Sequence, residues 1–168
     1  MKILVTGGAG FIGSHVCENL LLKGHEVIVL DDFSTGARSN LDPGNDQLTV
    51  YEGRVEEFDF DQVQGVQSVI HLAAQASVPL SISDFYLSSK TNVLSSLKII
   101  DFCIKNKVPL VYASSSAVYG GLAVGDDESS RIDLLSPYAA DKFSLELYCQ
   151  VAKSTADLSS IGLRFLKK

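Results

Sequence analysis

The chain has 168 residues, 46% of them hydrophobic, and a formal net charge of −6. This length suits one domain with a buried core and is short for two, and the acidic balance supplies no basic surface for nucleic acid. The three cysteines lie far apart, without CxxC spacing or clustered histidines, so we expect neither a disulfide framework nor a metal site. The N-terminal apolar run covers only 3–5, too short for a signal peptide or a membrane span, and we expect a cytoplasmic protein.

The first predicted element is a buried strand at 2–6, which runs directly into three glycines. Gly7 allows a tight turn, Gly10 lets the main chain approach a pyrophosphate, and Gly13 lets the next helix pack close to the strand. That helix is predicted over about 11–23, with its N-terminal N–H groups directed at the phosphates. Because glycine also marks ordinary turns, the neighbouring elements decide between a binding site and a structural turn.

A second apolar strand at 26–31 ends in Asp31, which is placed to accept hydrogen bonds from the hydroxyls of an adenosine ribose. Strand, turn, helix and acid occur in this order, and the order favours a dinucleotide site over a structural turn. Asp31 also favours NAD over NADP, since a carboxylate repels a 2′-phosphate. Arg38 is the nearby residue that argues for NADP.

Further strand-like runs recur along the chain with helical or loop segments between most of them. They lie at 48–52, 66–72, 109–114 and 160–165. This alternation predicts an α/β fold of the Rossmann type, a doubly wound parallel sheet in the order 3-2-1-4-5-6 with helices on both faces. We expect one such domain over 1–168.

Two longer helices are predicted in the second half of the chain. The first covers about 84–106, where apolar residues recur at three- and four-residue spacing. These residues are Val93, Leu97, Ile100 and Ile104. The second covers about 137–153. The stretch at 119–137 is rich in Gly, Asp, Glu and Ser and is predicted to be a loop over the mouth of the cleft, with an internal linker as the alternative.

Catalytic chemistry is indicated at the start of the last helix and at the end of the fifth strand. Tyr138 and Lys142 are four residues apart and lie one above the other on a helix, where an ammonium favours the phenolate of a general base. The structural alternative is a half-buried tyrosine beside a solvated lysine. The segment YASSSAVYG at 112–120 places three hydroxyls at the sheet edge where α/β proteins bind ligands, although at least one of them is expected to serve the loop itself.

Six motifs together cover nearly the whole chain. They are TGGAGFIGSH at 6–15, DDFSTG at 31–36, HLAAQASV at 71–78, TNV at 91–93, the serine segment at 112–120 and SPYAADK at 136–142. On these motifs the chain resembles the extended short-chain dehydrogenase/reductases, specifically the NAD-dependent epimerase/dehydratase family acting on nucleotide sugars. Within that family it is most similar to UDP-glucose and UDP-N-acetylglucosamine 4-epimerases. The dehydratases usually carry Thr-Asp-Glu where this chain has SSA at 115–117, so no acid is available for dehydration.

The resemblance implies roles for individual residues. Tyr138 is the catalytic base, Lys142 lowers its pKa and binds the nicotinamide ribose, and Ser115 takes the position of the catalytic serine. The implied contacts to NAD are Gly7, Gly10, Phe11, Ile12, Gly13, Asp31, Asp32, Val55, Leu72, Ala73, Ala74, Asn92, Tyr138 and Lys142. The implied reaction removes the O4 proton of a UDP-sugar, passes hydride from C4 to NAD and returns it to the other face of the sugar.

The chain departs from the family pattern in two places. Arg54 stands where the family usually has an aspartate that accepts a hydrogen bond from adenine, and arginine cannot accept one, although the backbone of Val55 still can contact the ring. Relatives also continue into a C-terminal domain that binds the nucleotide sugar, whereas this chain stops at Lys168. We therefore expect an N-terminal cofactor-binding portion with little or no epimerase activity alone.

The resemblance further implies a homodimer, formed through the long helix at about 84–106 and the helix that bears Tyr138. Two alternatives stay open. One is a non-catalytic NAD-binding sensor or scaffold of the same fold. The other is a different nucleotide-sugar-modifying member of the family, a dehydratase or a decarboxylase.

Overall fold

A parallel six-stranded sheet organises the computed structural model, which describes residues 1–121 and 131–166. The strands are β1 (Lys2–Thr6), β2 (Glu26–Asp31), β3 (Leu48–Glu52), β4 (Ser68–His71), β5 (Leu110–Ser115) and β6 (Ser160–Phe165). Their order is β3-β2-β1-β4-β5-β6, and every neighbouring pair is parallel. The predicted Rossmann-type strand order is therefore confirmed.

Four α-helices are present in the described residues, and side-chain caps explain where three of them begin. The helices are α1 (Phe11–Leu22), α2 (Val78–Ser83), α3 (Phe85–Asn106) and α4 (Pro137–Ala156). The caps are Ser77, Asp84 and Ser136, whose side chains accept from the backbone N–H groups of Leu80, Leu87 and Ala139. The α2 helix was not predicted, because six residues are too few to show a helical period.

The helices cover the two faces of the sheet, as predicted. Side chains alternate along each strand, so Leu4 and Val5 of β1 point to opposite faces. Val5 packs in a cluster with Cys17 of α1, whereas Leu4 packs with Ile99 of α3 and Leu145 of α4. The glycine turn thus follows a strand that is packed on both faces.

The α3 helix confirms the helix predicted at about 84–106, but most of the apolar residues that gave its period are not fully buried. Of the four apolar residues on which the prediction rests, only Ile100 is buried, whereas Val93, Leu97 and Ile104 are partly exposed. The buried residues include a polar set in the first half of the helix. They are Ser88, Asn92, Ser95 and Ser96. The α3 helix packs against α4, and the hydroxyls of Ser95 and Ser96 donate to the Asn92 carbonyl at 3.2 and 2.7 Å. Small polar groups thus share the buried face of α3 with apolar residues, which are Ile99, Ile100, Phe102 and Cys103.

The polar stretch predicted as a loop is described only in part, because 122–130 lies outside the described residues. Before it, a short 3-10 helix at Ser116–Tyr119 follows β5. After it, 131–136 has no regular helix or strand, and Asp133 N donates to Val118 O at 3.0 Å. Within the described ranges, no helix has the length and apolar character needed to cross a membrane, and no His, Cys, Asp and Glu cluster could hold a metal ion.

Candidate active site

The glycine turn after β1 lies directly against the loop that follows β4. Gly7 has a φ of +71°, a left-handed conformation that favours glycine. A Cβ at this position would come within 2.6 Å of Ala73 N. The strands β1 and β4 are neighbours in the sheet, and the direction of the strand order reverses between them. The contact therefore lies at the topological switch point, where α/β sheets bind ligands.

Gly10 and Gly13 differ in what surrounds them. A Cβ at Gly13 would lie 2.1 Å from Gly7 O, so the packing of α1 against the turn requires glycine there. A Cβ at Gly10 would meet nothing nearer than Gly7 O at 3.4 Å, so the space above Gly10 is open. Gly10 is also the N-cap of α1, which has no side-chain cap and no acid in its first turn. The exposed start of this helix at Phe11 and Ile12 therefore suits an anion such as a pyrophosphate.

Asp31 connects the end of β2 to the glycine turn. Its Oδ2 accepts from Ala9 N and its Oδ1 from Phe33 N, both at 2.9 Å. Each carboxylate oxygen accepts more than one hydrogen bond, so the group can still receive ribose hydroxyls. The neighbouring Asp32 accepts from the backbone N–H and the hydroxyl of Ser34 at 3.0 and 2.6 Å.

Arg54 and Arg38 are both engaged by acidic side chains at this end of the sheet. Arg54 lies with its Nε 3.7 Å from Asp32 Oδ2 and its Nη1 3.9 Å from Glu56 Oε1. Arg38 pairs with Glu52, and its guanidinium lies 4.3 Å from the centroid of the Phe33 ring. Neither guanidinium is left without an acidic partner, which is consistent with a site for a ribose hydroxyl rather than a 2′-phosphate.

Val55 packs its side chain in the core and is only 4% exposed. Its predicted contact with adenine is therefore restricted to backbone atoms.

The loop after β4 is tied to β1 by a buried polar pair. Thr6 Oγ1 and His71 Nδ1 are 2.7 Å apart, and Ala73 N donates to the same hydroxyl at 3.3 Å. Burial lowers the pKa of His71 to about 3, and the positive charge of Lys142 acts in the same direction, so the imidazole is neutral. The predicted cofactor residues Leu72, Ala73 and Ala74 follow at once and are partly buried.

The structure brings Ser115, Tyr138 and Lys142 together. Ser115 ends β5, Tyr138 lies in the first turn of α4, and the Ser115 hydroxyl is within hydrogen-bonding reach of the Tyr138 phenol. Lys142 Nζ donates to Ala113 O on β5 at 3.0 Å and lies 5.9 Å from the centroid of the Tyr138 ring. The three side chains lie at the carboxyl end of β5, beside the loop that follows β4.

The pKa values of the tyrosine and the lysine are dominated by burial. Burial raises the pKa of Tyr138, and the hydrogen bond with Ser115 opposes that shift. Burial lowers the pKa of Lys142 to about 8, and the negative charge of Asp141 opposes that shift. The predicted lowering of the Tyr138 pKa by Lys142 is not seen, because burial and the Ser115 hydroxyl are the influences on the phenol and the ammonium is directed at the Ala113 carbonyl.

Asn92 is buried and connects three elements. Its Oδ1 accepts from Gln75 N at 2.8 Å, and its Nδ2 donates to Gln75 O at 3.2 Å and to Asp141 Oδ2 at 3.1 Å. Asn92 therefore supports the site by holding the loop after β4 in place. Sequence reasoning missed Asp141, although an acid directly before the lysine of the YxxxK motif was a visible signal.

Sequence reasoning also missed an ion pair behind the serine segment. Arg164 of β6 donates to Glu146 of α4 through Nε at 2.9 Å and through Nη2 at 2.7 Å. Ser114 Oγ donates to the same carboxylate, and the Arg164 guanidinium lies 4.9 Å from the centroid of the Tyr119 ring. This set connects α4, β5, β6 and the turn after Ser115. No local motif marks it, because its members are far apart in sequence.

The matched family model decides the classification. The model of the NAD dependent epimerase/dehydratase family matches residues 3–167. The chain belongs to the NAD-dependent epimerase/dehydratase family. NAD is the cofactor of this family, and the open space at Gly10, the uncapped start of α1 and the Asp31 carboxylate fit that cofactor.

Solved structures of epimerases resemble this family member over nearly its whole length. The UDP-N-acetylglucosamine 4-epimerase of Methanobrevibacter ruminantium, in complex with UDP-N-acetylmuramic acid, is 35% identical with a TM-score of 0.92, over 97% of this chain and 54% of that one. The UDP-glucose 4-epimerase of Thermus thermophilus, in complex with NAD, is 37% identical with a TM-score of 0.87, over 98% of this chain and 54% of that one.

A curated relative is similar over the same extent of the chain. The UDP-glucose 4-epimerase of Lactobacillus helveticus is 31% identical over 98% of this chain and 51% of its own. The chain thus spans about half the length of the curated relatives it matches.

Proposed function

We propose that the chain is the NAD-binding portion of a nucleotide-sugar epimerase of the UDP-hexose 4-epimerase type. The observation that carries the proposal is the grouping of Ser115, Tyr138 and Lys142 at the same sheet edge as the glycine turn. A module that only sensed NAD would need the turn and Asp31, but it would have no use for a phenol beside a serine hydroxyl and a buried ammonium.

The residues around the glycine turn divide the proposed cofactor site into regions. The open space at Gly10 and the start of α1 at Phe11 and Ile12 would hold the pyrophosphate. Asp31 would receive the hydroxyls of the adenosine ribose, and the loop at 72–74 would lie along the cofactor. Lys142 would donate to the nicotinamide ribose.

The catalytic residues have separate tasks in the proposed reaction. Tyr138 takes the proton from O4 of the sugar, and Ser115 donates a hydrogen bond to that oxygen. Burial raises the pKa of Tyr138, so the phenol is protonated at neutral pH. We propose that the positive charge of a bound nicotinamide, together with that of Lys142, would favour the phenolate. When bound, NAD would supply the chemistry that accepts and donates hydride at C4.

The proposed substrate is a UDP-hexose. This class is supported by relatives whose names include UDP-glucose and UDP-N-acetylglucosamine 4-epimerase. A dehydratase is less well supported, since the turn after β5 holds Ser116 and Ala117 and no acid. Because the chain spans about half the length of these relatives, we propose that other residues complete the sugar site.

The proposed function is tested by conversion of UDP-galactose to UDP-glucose in the presence of NAD. We expect the full-length protein to catalyse the conversion and Tyr138→Phe to lose it while retaining NAD, because the phenol is the base. The chain of 168 residues should bind NAD with little or no conversion. A full-length protein that binds NAD but converts no UDP-sugar would favour the sensor, and release of CO2 from UDP-glucuronic acid would favour a decarboxylase.

We also propose that the protein is a homodimer through α3 and α4. Both helices carry exposed apolar side chains, which are Phe85, Tyr86, Leu87 and Leu94 on α3 and Leu147, Tyr148 and Val151 on α4. An exposed apolar surface on a pair of helices is typical of a protein interface. The cytoplasmic location stays a prediction.

A further inference from the structure

Asp141 is a buried acid that the proposed chemistry does not use. It lies on α4 directly before Lys142, and 5% of its surface is exposed. A carboxylate is rarely buried without a charged partner or hydrogen bonds, because its desolvation is costly. One of its oxygens, Oδ2, accepts from Asn92 Nδ2 at 3.1 Å. The next residue, Lys142, is also only 5% exposed and carries the opposite charge.

The groups that surround Lys142 come from β5, β4 and α4. On β5, Ala113 O accepts from Lys142 Nζ at 3.0 Å. On β4, the positive charge of Lys142 contributes to the lowered pKa of the neutral His71. On α4, the Tyr138 ring centroid is 5.9 Å away and its phenol is protonated at neutral pH. Among these groups in the part of the chain that the structure describes, Asp141 alone carries negative charge. Its charge acts against the burial that lowers the pKa of Lys142.

The second link of Asp141 runs through Asn92 to the loop after β4. With Nδ2 directed at Asp141, the Asn92 amide presents Oδ1 to Gln75 N, a hydrogen bond of 2.8 Å. Gln75 follows the residues at 72–74 that the cofactor site requires. A single buried side chain thus connects the helix that bears Lys142 to the loop beside the proposed nicotinamide end.

We propose that Asp141 is a positioning residue of the cofactor site, which fixes α4 to the loop after β4 through Asn92 and places a negative charge next to Lys142 in the same buried turn of α4. The inference deepens the proposed function, and it rests on that function only for the assignment of the site to NAD. In the absence of the carboxylate, the buried lysine loses its proton at a lower pH and donates more weakly to a ribose hydroxyl.

The effect of the Asp141 charge on Lys142 is tested by NMR titration of the 168-residue chain, labelled with 13C at lysine Cε. The Lys142 signal is assigned by its absence from Lys142→Met. Asp141→Asn removes the charge but keeps an oxygen that can accept from Asn92. Asp101→Asn is the control, since this acid is exposed on α3 and pairs with Lys105 at 2.6 Å. We expect the Lys142 midpoint to fall by about one pH unit in Asp141→Asn and to stay in place in the control. An unchanged midpoint in Asp141→Asn overturns the proposal.

A double variant keeps the proposal testable if Asp141→Asn does not fold. The proposal attributes the lost stability to an uncompensated buried ammonium, so Lys142→Met in the same chain should restore folding. A double variant that is no more stable than Asp141→Asn alone would show that only packing was lost, which overturns the proposed effect of the Asp141 charge.

The link to the loop is tested by hydrogen exchange at the Gln75 amide. Exchange should be faster in Asp141→Leu, which cannot orient Asn92, than in Asp141→Asn, and equal rates overturn the link. None of these measurements contains NAD. A failure of the proposed function is seen separately, as an absence of NAD binding by the wild-type chain.

Discussion

Three glycines follow β1, and the space around each shows whether glycine is required by packing within the chain or leaves room for a ligand. A Cβ at Gly13 would collide with Gly7 O at 2.1 Å, whereas a Cβ at Gly10 would approach it only to 3.4 Å. Packing within the chain therefore explains Gly13 and leaves Gly10 unexplained. The open space above Gly10 is where the proposed pyrophosphate would lie.

We expect Gly10→Ala to fold with a free energy of unfolding within about 1 kcal/mol of the wild type, because the change is at an N-cap with room for a methyl group. Its affinity for NAD should fall at least about tenfold, or roughly 1.4 kcal/mol. Gly13→Ala is the matched control and should lose at least about 2 kcal/mol of stability. Denaturant unfolding and calorimetry measure both, and unchanged NAD affinity in Gly10→Ala would contradict the assignment of this space.

His71 predicts a pH dependence of stability. Its pKa in the folded protein is about 3, below the ordinary value of 6.5. Between these values the unfolded chain binds a proton that the folded chain does not, so stability falls as the pH drops below about 6.5. A group of this kind contributes up to about 1.4 kcal/mol per pH unit.

The wild type should therefore lose stability between pH 7 and pH 5 more steeply than His71→Asn, whose amide is uncharged. His15→Asn is the control, because His15 is exposed on α1 and should leave the slope unchanged. Urea unfolding at several pH values measures the slopes. Parallel curves for the wild type and His71→Asn would show that His71 is not held neutral.

At the scale of elements, the Glu146 and Arg164 pair holds β6 against α4 and the serine segment. Their side chains are 17% and 27% exposed, whereas those of Lys2 and Glu26, an ion pair between β1 and β2, are 36% and 59% exposed. A partly buried pair with two hydrogen bonds is worth more than an exposed one, because less solvent screens it.

Arg164→Met should cost roughly 1 to 3 kcal/mol, between the values for exposed and for buried pairs, since it leaves Glu146 without its cation. Lys2→Met is the control and should cost less than about 1 kcal/mol. Chemical denaturation measures both. Equal costs would show that the pair does not fasten β6.

The elements also show what sequence can and cannot supply. Apolar runs predicted the strand positions, because a central strand buried on both faces is apolar throughout. The rule of right-handed crossovers predicted their order. Apolar spacing also predicted the α3 helix, but it did not reveal that packing against α4 buries small polar residues such as Ser95 and Ser96. Local motifs located Ser115, Tyr138 and Lys142. The position of Asp141 beside Lys142 was visible in the sequence, but its contact with Asn92, like that of Arg164 with Glu146, joins distant segments and is not revealed by spacing.

At the scale of the whole molecule, the exposed apolar side chains of α3 and α4 predict a dimer. Val151 is 56% exposed and Leu94 is 45% exposed, which is uncommon for neighbouring helices that face only water. We expect sedimentation of the wild type to report a dimer and Val151→Glu to report a folded monomer, because a charge in the centre of an apolar interface is not solvated. Leu22→Glu, on the exposed end of α1, is the control and should stay dimeric. A wild-type monomer would contradict the predicted interface.

The central claim for the whole molecule is that this chain binds NAD at the glycine turn. Calorimetric titration of the folded wild-type chain tests it most directly, with NADP as the second titrant. We expect one NAD per chain with a Kd that is micromolar or tighter, about −8 kcal/mol, and an affinity for NADP at least about tenfold lower, because Asp31 repels a 2′-phosphate. A folded chain that binds no NAD, or that binds NADP equally well, would contradict the claim.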